Sequence, residues 1–223
     1  MKKKWSGNLE ILKEMTIFAD DMNNSIQEVK WSENVILVDG DYVDHVAFNL
    51  IVNFERMLER RIPKADMARW LECVALDGGL RPASPGGNAQ VILIHSKGKL
   101  QLENFTPGDY EGELNGKAFE GQLGEFSLSA YPVEDLADAD FFFVEALQLI
   151  AAQKEVKRLM VVPNAEDALI YNKVREALRS VDEEKRVTLF AMQPLAGGNF
   201  RQEILGYSLM AALGIRSEEI NAK

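Results

Sequence analysis

The sequence has few of the residues that form covalent or metal cross-links. Its 223 residues include one cysteine, Cys73, and two histidines, His45 and His95. A single cysteine cannot form a disulfide within the chain, which fits a reducing compartment and predicts a cytoplasmic protein. A structural zinc site is not expected, because such sites are built from clusters of Cys and His ligands.

Long apolar runs are also missing. No stretch reaches the roughly 18 apolar residues of a membrane helix, so no membrane partner is predicted. The basic start, Met1-Lys2-Lys3-Lys4, precedes a stretch from Leu9 to Phe18 that charged residues interrupt, so it lacks the apolar region of a signal peptide. Strong folding signals begin only at Val29. Residues 1–28 are therefore predicted to be a poorly ordered N-terminal extension.

Positive charge is scarce. The chain has 25 Lys and Arg against 35 Asp and Glu, which gives a net charge of -10. Nucleic-acid binders usually carry a basic surface, so this balance argues against a nonspecific polyanion partner. A metal-dependent nuclease keeps an acidic site, however, and RNA therefore stays open as a partner.

Buried strands alternate with amphipathic helices along the chain. Apolar runs predict strands at 35–38, 91–95, 159–162 and 187–192, and alternation of apolar with small or polar residues predicts a strand at 126–131. Periodic segments predict helices at 43–60, 64–76, 140–153, 168–181 and 200–213. This order predicts a three-layer α/β/α sandwich with a mostly parallel sheet of about five strands. The domain is expected to span residues 29–216, with an irregular Gly-rich insertion at about 97–124.

Acidic residues stand where several of these strands end. Asp39 and Asp41 follow the first strand, Asp140 and Glu145 follow the third, and Asp167 follows the fourth. Ligands of open α/β sheets bind outside the carboxyl ends of the strands, and carboxylates there are suited to Mg²⁺ or Mn²⁺. Two such metal ions could stabilise the attacking and leaving oxygens of a displacement at phosphorus. An aspartate in this place also commonly caps the following helix, which is the simpler reading of each residue alone.

The segment Val35-Ile36-Leu37-Val38-Asp39-Gly40-Asp41-Tyr42 resembles the opening of NYN (LabA-like) domains, a branch of the PIN-like nucleases. Asp138-Ala139-Asp140, the following helix and the segment ending at Glu166-Asp167 come in the order of the later NYN motifs. The resemblance implies a PIN-like fold and a ribonuclease dependent on Mg²⁺ or Mn²⁺. It implies metal ligands at Asp39, Asp140, Asp167 and Glu145, and catalytic roles for Asp39, Asp41, Asp140 and Asp167.

Several positions depart from the NYN pattern. Tyr42 stands where these domains have Asn, and Ala165 stands where they have the first Asp of the later acidic motif. These departures favour a protein that keeps the fold and acts as an interaction module without catalysis.

Three functions are left open by the sequence. The first is a non-catalytic interaction module, including a homodimer that pairs through the apolar side of the final helix. The second is the metal-dependent ribonuclease with its strand-end carboxylates. The third is a small-molecule or nucleotide binder that uses the Gly197-Gly198 loop, where free backbone N–H groups could meet an anion.

Overall fold

The computed structural model describes residues 30–82, 87–134 and 139–221. The chain divides into two compact units, and the second begins at Ser32 and carries the sheet and helices described below. The predicted N-terminal extension, residues 1–28, lies outside the described residues. Asp140 is described in its backbone only.

The strands and helices of the described residues alternate much as the sequence predicts. The strands are β1 (Asn34–Asp39), β2 (Ala65–Asp66), β3 (Ala89–Ser96), β4 (Phe105–Thr106), β5 (Lys117–Gly121), β6 (Gly124–Val133), β7 (Arg158–Val162), β8 (Arg186–Ala191) and β9 (Arg201–Ile204). The helices are α1 (Gly40–Leu58), α2 (Met67–Asp77), α3 (Ala139–Ala152), α4 (Ala168–Leu178), α5 (Leu205–Ala212) and α6 (Ser217–Asn221), and a π-helical turn spans Tyr110–Leu114. None of these helices is long and apolar enough to cross a membrane.

Seven of the strands form one sheet in the order β5-β6-β3-β1-β7-β8-β9. All neighbours in it run parallel except β5, which pairs antiparallel with β6 at one edge. Strands β2 and β4 make a separate parallel pair. The mostly parallel α/β architecture is confirmed, with two more strands in the main sheet than the five expected.

Apolar side chains on both faces hold the central strands in the sheet. Ile36 and Val38 of β1 point into a core that also contains Val43, Trp70 and Leu209, from α1, α2 and α5. The alternate residues of β1 are equally buried, and α3 and α4 pack together and contribute their own buried residues. Burial on both faces explains why these strands read as continuous apolar runs.

The two additional strands come from segments predicted otherwise. The final helix was expected over 200–213, but Arg201–Ile204 is strand β9, which pairs with β8, and α5 begins only at Leu205. The helical spacing of Leu205, Leu209 and Leu213 is real, but it does not extend back across the polar residues of β9. Strand β5 belongs to the Gly-rich insertion.

The insertion at about 97–124 is anchored by its aromatic residues. Phe105 and Tyr110 are buried, and the Phe105 ring meets Trp70 edge-on with the ring centres 5.4 Å apart. Phe119 on β5 stacks on Phe126 on β6, with the ring centres 4.8 Å apart. The segment therefore combines β4, the π-helical turn and β5 rather than staying irregular throughout.

Candidate functional site

The sheet reverses its strand order between β1 and β7. Taken in chain order, the six parallel strands lie as 3-2-1-4-5-6, so the chain adds strands first on one side of β1 and then on the other. In doubly wound sheets of this order, the crevice at the reversal, outside the carboxyl ends of the strands, is the usual ligand site. Here that place is bounded by the ends of β1 and β7.

Asp39, Tyr42 and Glu166 meet at this reversal. Asp39 is the N-cap of α1, and its Oδ1 accepts a hydrogen bond from the Tyr42 backbone N–H at 2.9 Å. The Tyr42 side chain is buried, and burial together with the nearby Glu166 and Asp39 carboxylates raises its pKa. Glu166, which precedes the predicted ligand Asp167, is thus the acid of the β7–α4 loop that raises the pKa of Tyr42, although the buried Tyr42 hydroxyl has no hydrogen-bond partner among the described residues.

Asp41 is directed the other way, against the end of β3. Its Oδ2 accepts hydrogen bonds from the Ser96 backbone N–H, at 3.0 Å, and from the Ser96 hydroxyl. Its Oδ1 lies 3.3 Å from the Lys99 Nζ. The charge of Asp41 is therefore compensated within the structure by the turn that follows β3.

The Gly-rich insertion closes the carboxyl end of β3. The Tyr110 ring stacks on His95 with ring centres 3.6 Å apart, and a Cβ on Gly40 would overlap the Tyr110 hydroxyl. Asp44 on α1 accepts a hydrogen bond from the Asn104 backbone N–H at 2.8 Å. Burial lowers the pKa of His95, against the opposing effects of the Ser96 carbonyl and the Asp41 charge. Gly40 is thus required by the close approach of Tyr110.

The remaining predicted ligands are spread over α3 and α4. Asp167 is exposed and caps α4, where its Oδ1 accepts hydrogen bonds from Leu169 N at 2.8 Å and Ile170 N at 3.2 Å. Glu145 is half-buried in α3, and burial raises its pKa. The side chain of Asp140 lies outside the described part of the chain.

Among the described residues, no three His, Cys, Asp or Glu side chains are grouped so that they could hold a metal ion. The predicted metal site, which includes Asp140, stays a prediction.

A second group of charged side chains lies at the amino ends of the parallel strands, at the opposite end of the sheet from Asp39. There a cleft of about 550 Å³ opens beside the amino ends of β7, β8 and β9 and the turn after α2. We call it the basic cleft. It is lined by the cationic residues Arg81, Arg158, Lys185, Arg186 and Arg201, and by Gly78, Gly79, Val187, Thr188, Asn199 and Phe200.

Two of the five cations have structural partners at helix ends. Arg81 donates to the carbonyl oxygens of Leu76 and Leu80, at 2.9 and 2.7 Å, beyond the last turn of α2. Lys185 donates to two carbonyls at the end of α3, at 2.6 and 2.7 Å. Basic side chains commonly satisfy the open carbonyls of a helix end, so these two contacts need no ligand. Arg201 forms an ion pair with Glu203.

Arg158 and Arg186 are less well compensated. They are the first residues of β7 and β8 and are paired in register, which sets them side by side. Arg158 donates from Nη1 to the Gly78 carbonyl at 2.6 Å, but its buried Nε has no acceptor among the described residues. Burial lowers the pKa of Arg158, and the positive charges of Arg186 and Arg81 lower it further. The charges that lower the pKa of Arg158 are thus those of its cationic neighbours, whereas Arg81 and Arg201 also lie near the Asp77 carboxylate.

The loop before β9 forms the other wall of the basic cleft. The Tyr171 hydroxyl donates to the Ala196 carbonyl, and the Gln202 amide pairs with both backbone groups of Leu195 at 3.1 Å. Phe200 lies against Gly198, where a Cβ would overlap its ring. These contacts fix the Gly197-Gly198 loop without any ligand.

The basic cleft was not predicted, because ligands of open α/β sheets usually bind outside the carboxyl ends of the strands. A signal was nevertheless present in the sequence. Lys157-Arg158 and Lys185-Arg186 each stand directly before a buried strand, and parallel strands bring their amino ends to one edge.

The strand order and the parallel pairing define a doubly wound α/β protein with a mostly parallel sheet, with charged residues at both ends of its strands. A family model described as a family of unknown function (DUF6621) matches residues 28–220, and the chain belongs to that family. No curated protein and no solved structure matches the chain.

Proposed function

We propose that this protein is a binding module that holds a phosphate-bearing small molecule in the basic cleft. The observation that carries the proposal is the side-by-side pair Arg158 and Arg186, whose charges repel each other beside a cleft. This function is the small-molecule alternative that the Gly197-Gly198 loop suggests, moved from the loop backbone to the cationic side chains beside it.

The chemistry of the two arginines suits a phosphate group. A guanidinium offers several N–H donors in a planar fork that matches two oxygens of one phosphate. Arg158 already holds its Nη1 on the Gly78 carbonyl, which fixes the guanidinium and leaves other donors for an anion. The two guanidinium groups repel each other in the free protein. An anion between them would offset this repulsion, which would favour binding.

The position of the arginines favours a preformed site. Both start strands of the central sheet, and the Gly78 carbonyl that receives Arg158 belongs to the turn after α2. The Arg158 guanidinium, held on that carbonyl, therefore loses little freedom when a ligand binds, whereas the exposed Arg186 would have to be ordered. The net charge of -10 makes a long polyanion a poor partner and leaves a small anion as the better candidate.

Calorimetric titration with inorganic tripolyphosphate tests the proposal. We expect one saturable site in the wild-type protein and, for Arg186→Ala, an affinity about tenfold lower because a charge-assisted hydrogen bond is lost. Arg186 is exposed, so its removal should leave the fold intact. Arg179→Ala is the matched control, since Arg179 is an exposed arginine of the α4 end that does not line the cleft and should bind as wild type does.

A second candidate function is the ribonuclease dependent on Mg²⁺ or Mn²⁺ that the NYN resemblance implies. The observation that favours it is the approach of Asp39 and Glu166 to one side chain, Tyr42, at the reversal of strand order. With Asp140 at the start of α3, these carboxylates would hold the metal that activates water for attack on a phosphodiester.

Titration with Mn²⁺ separates this candidate from the first. Asp39→Asn should abolish metal binding and RNA cleavage while keeping the helix cap, because Asn caps helices as well as Asp does. Asp66→Asn is the control, since Asp66 caps α2 in the same way and is exposed. Equal Mn²⁺ affinity in wild type and Asp39→Asn would remove Asp39 as a ligand.

A further inference from the structure

An aromatic ring lies in the wall of the basic cleft. Phe200 is half-buried between the Gly-rich loop and β9, and one side of its ring rests on Gly198. Its neighbour Asn199 is exposed and also lines the cleft. The cleft thus combines cationic groups, one aromatic ring and one amide, a set that a bare phosphate ion would use only in part.

The loop contacts keep this ring in place. Tyr171 holds the Ala196 carbonyl from α4, and Gln202 closes the loop by pairing with Leu195. Gly198 has room for the ring only because it lacks a Cβ, whereas a Cβ on Gly197 would meet nothing within 4 Å. The two adjacent glycines therefore differ in one respect that an experiment can use: only Gly198 supports Phe200.

We propose that the ligand of the basic cleft is a nucleotide whose base stacks on Phe200 while its phosphates bind Arg158 and Arg186. Every base has a π-face, and a base that stacks on an aromatic ring gains affinity without needing a specific hydrogen bond. The cleft volume of about 550 Å³ suits a single small ligand. This inference rests on the proposed function, since it names the class of the phosphate-bearing molecule.

Calorimetric titrations of the 223-residue chain with ATP and with inorganic tripolyphosphate test the role of the ring. Phe200→Leu keeps an apolar side chain and removes the π-face, so ATP should bind at least about fivefold more weakly. The same variant should bind tripolyphosphate as wild type does. Gly198→Ala, which displaces the ring, should lower ATP affinity in the same direction, and Gly197→Ala should leave both affinities unchanged.

The outcomes separate the inference from the proposal beneath it. If the wild-type protein binds tripolyphosphate as tightly as ATP, or if Phe200→Leu weakens both ligands equally, the ring does not contact a base and the nucleotide assignment is overturned. If neither ligand binds, the proposed function itself fails. Much tighter binding of single-stranded RNA than of ATP would replace the nucleotide by a nucleic acid and also overturn the inference.

Discussion

Asp39 and Asp167 each close the amino end of a helix, as Asp66 does at α2. Aspartate is one of the preferred N-cap residues, so an aspartate between a strand and a helix is explained without a metal. In both candidate ligands the cap uses Oδ1. The capping role therefore accounts for both aspartates without a metal ion.

His95 gives the stability a pH dependence that can be isolated. Burial lowers its pKa in the folded state, so the unfolded chain, whose histidine titrates near about 6.5, binds the proton more readily. Stability from this group is therefore fully present above about pH 6.5 and is lost as the pH falls toward the folded pKa. His95→Phe keeps a ring to stack on Tyr110 and removes the titration.

Thermal unfolding of wild type and His95→Phe at a series of pH values measures this effect. We predict that wild type loses more stability than the variant between about pH 7.5 and about pH 5.5. Asp77 and Glu145, whose pKa values burial raises, contribute in the opposite direction in both proteins and cancel in the difference. Parallel curves for the two proteins would show that His95 does not titrate as its burial requires.

At the scale of elements, the contact between α1 and the Gly-rich insertion depends on one missing Cβ. Gly40 starts α1, and the Tyr110 hydroxyl occupies the space that a side chain would need. Gly40→Ala should therefore destabilise the protein by about 1–3 kcal/mol, as other overpacked cores do. The double variant Gly40→Ala/Tyr110→Phe should recover part of the loss, because the overlapping oxygen is gone while the Ile94 carbonyl would still lie 3.2 Å from the new Cβ.

Chemical denaturation of the four proteins of this cycle gives the coupling energy between the two positions. Tyr110→Phe alone should keep the ring on His95, since the stacking does not use the hydroxyl. Losses that simply add in the double variant would mean that Gly40 is needed for its backbone and not for the approach of Tyr110.

The strands that the sequence predicted well are those whose own residues show that they are buried. β1, β3, β7 and β8 are buried on both faces, and their apolar runs need no partner to be recognised. β9 reads Arg-Gln-Glu-Ile and β5 reads Lys-Ala-Phe-Glu-Gly, and both lie at sheet edges. An edge strand owes its conformation to the backbone pairing of one neighbour, which leaves little trace in its side chains.

The candidate site was predictable only in part for a related reason. Strand ends could be located, and Asp39 does lie at the reversal of strand order. The direction of Asp41 could not be read from the sequence, because Ser96 and Lys99 reach it only once β3 lies beside β1. The same holds for Arg158 and Arg186, which are 28 positions apart in the chain and become neighbours through the pairing of β7 with β8.

At the scale of the whole molecule, acidic and basic side chains lie at opposite ends of the parallel strands. Asp39, Asp41 and Glu166 gather at the carboxyl ends, and the arginines of the basic cleft gather at the amino ends. Five of the 25 Lys and Arg residues of a chain with net charge -10 line this one cleft. The proposed function would use these cations to bind a small anion, whereas the net charge of -10 disfavours a large one.

Titration of wild type and Arg186→Ala with inorganic tripolyphosphate at low ionic strength tests the basic cleft most directly. We predict one saturable site in the wild-type protein and an affinity about tenfold lower in the variant, with both weakened by added salt. A wild-type protein that gives no saturable heat, or a variant that binds as tightly as wild type, would contradict the assignment of the basic cleft as the binding site.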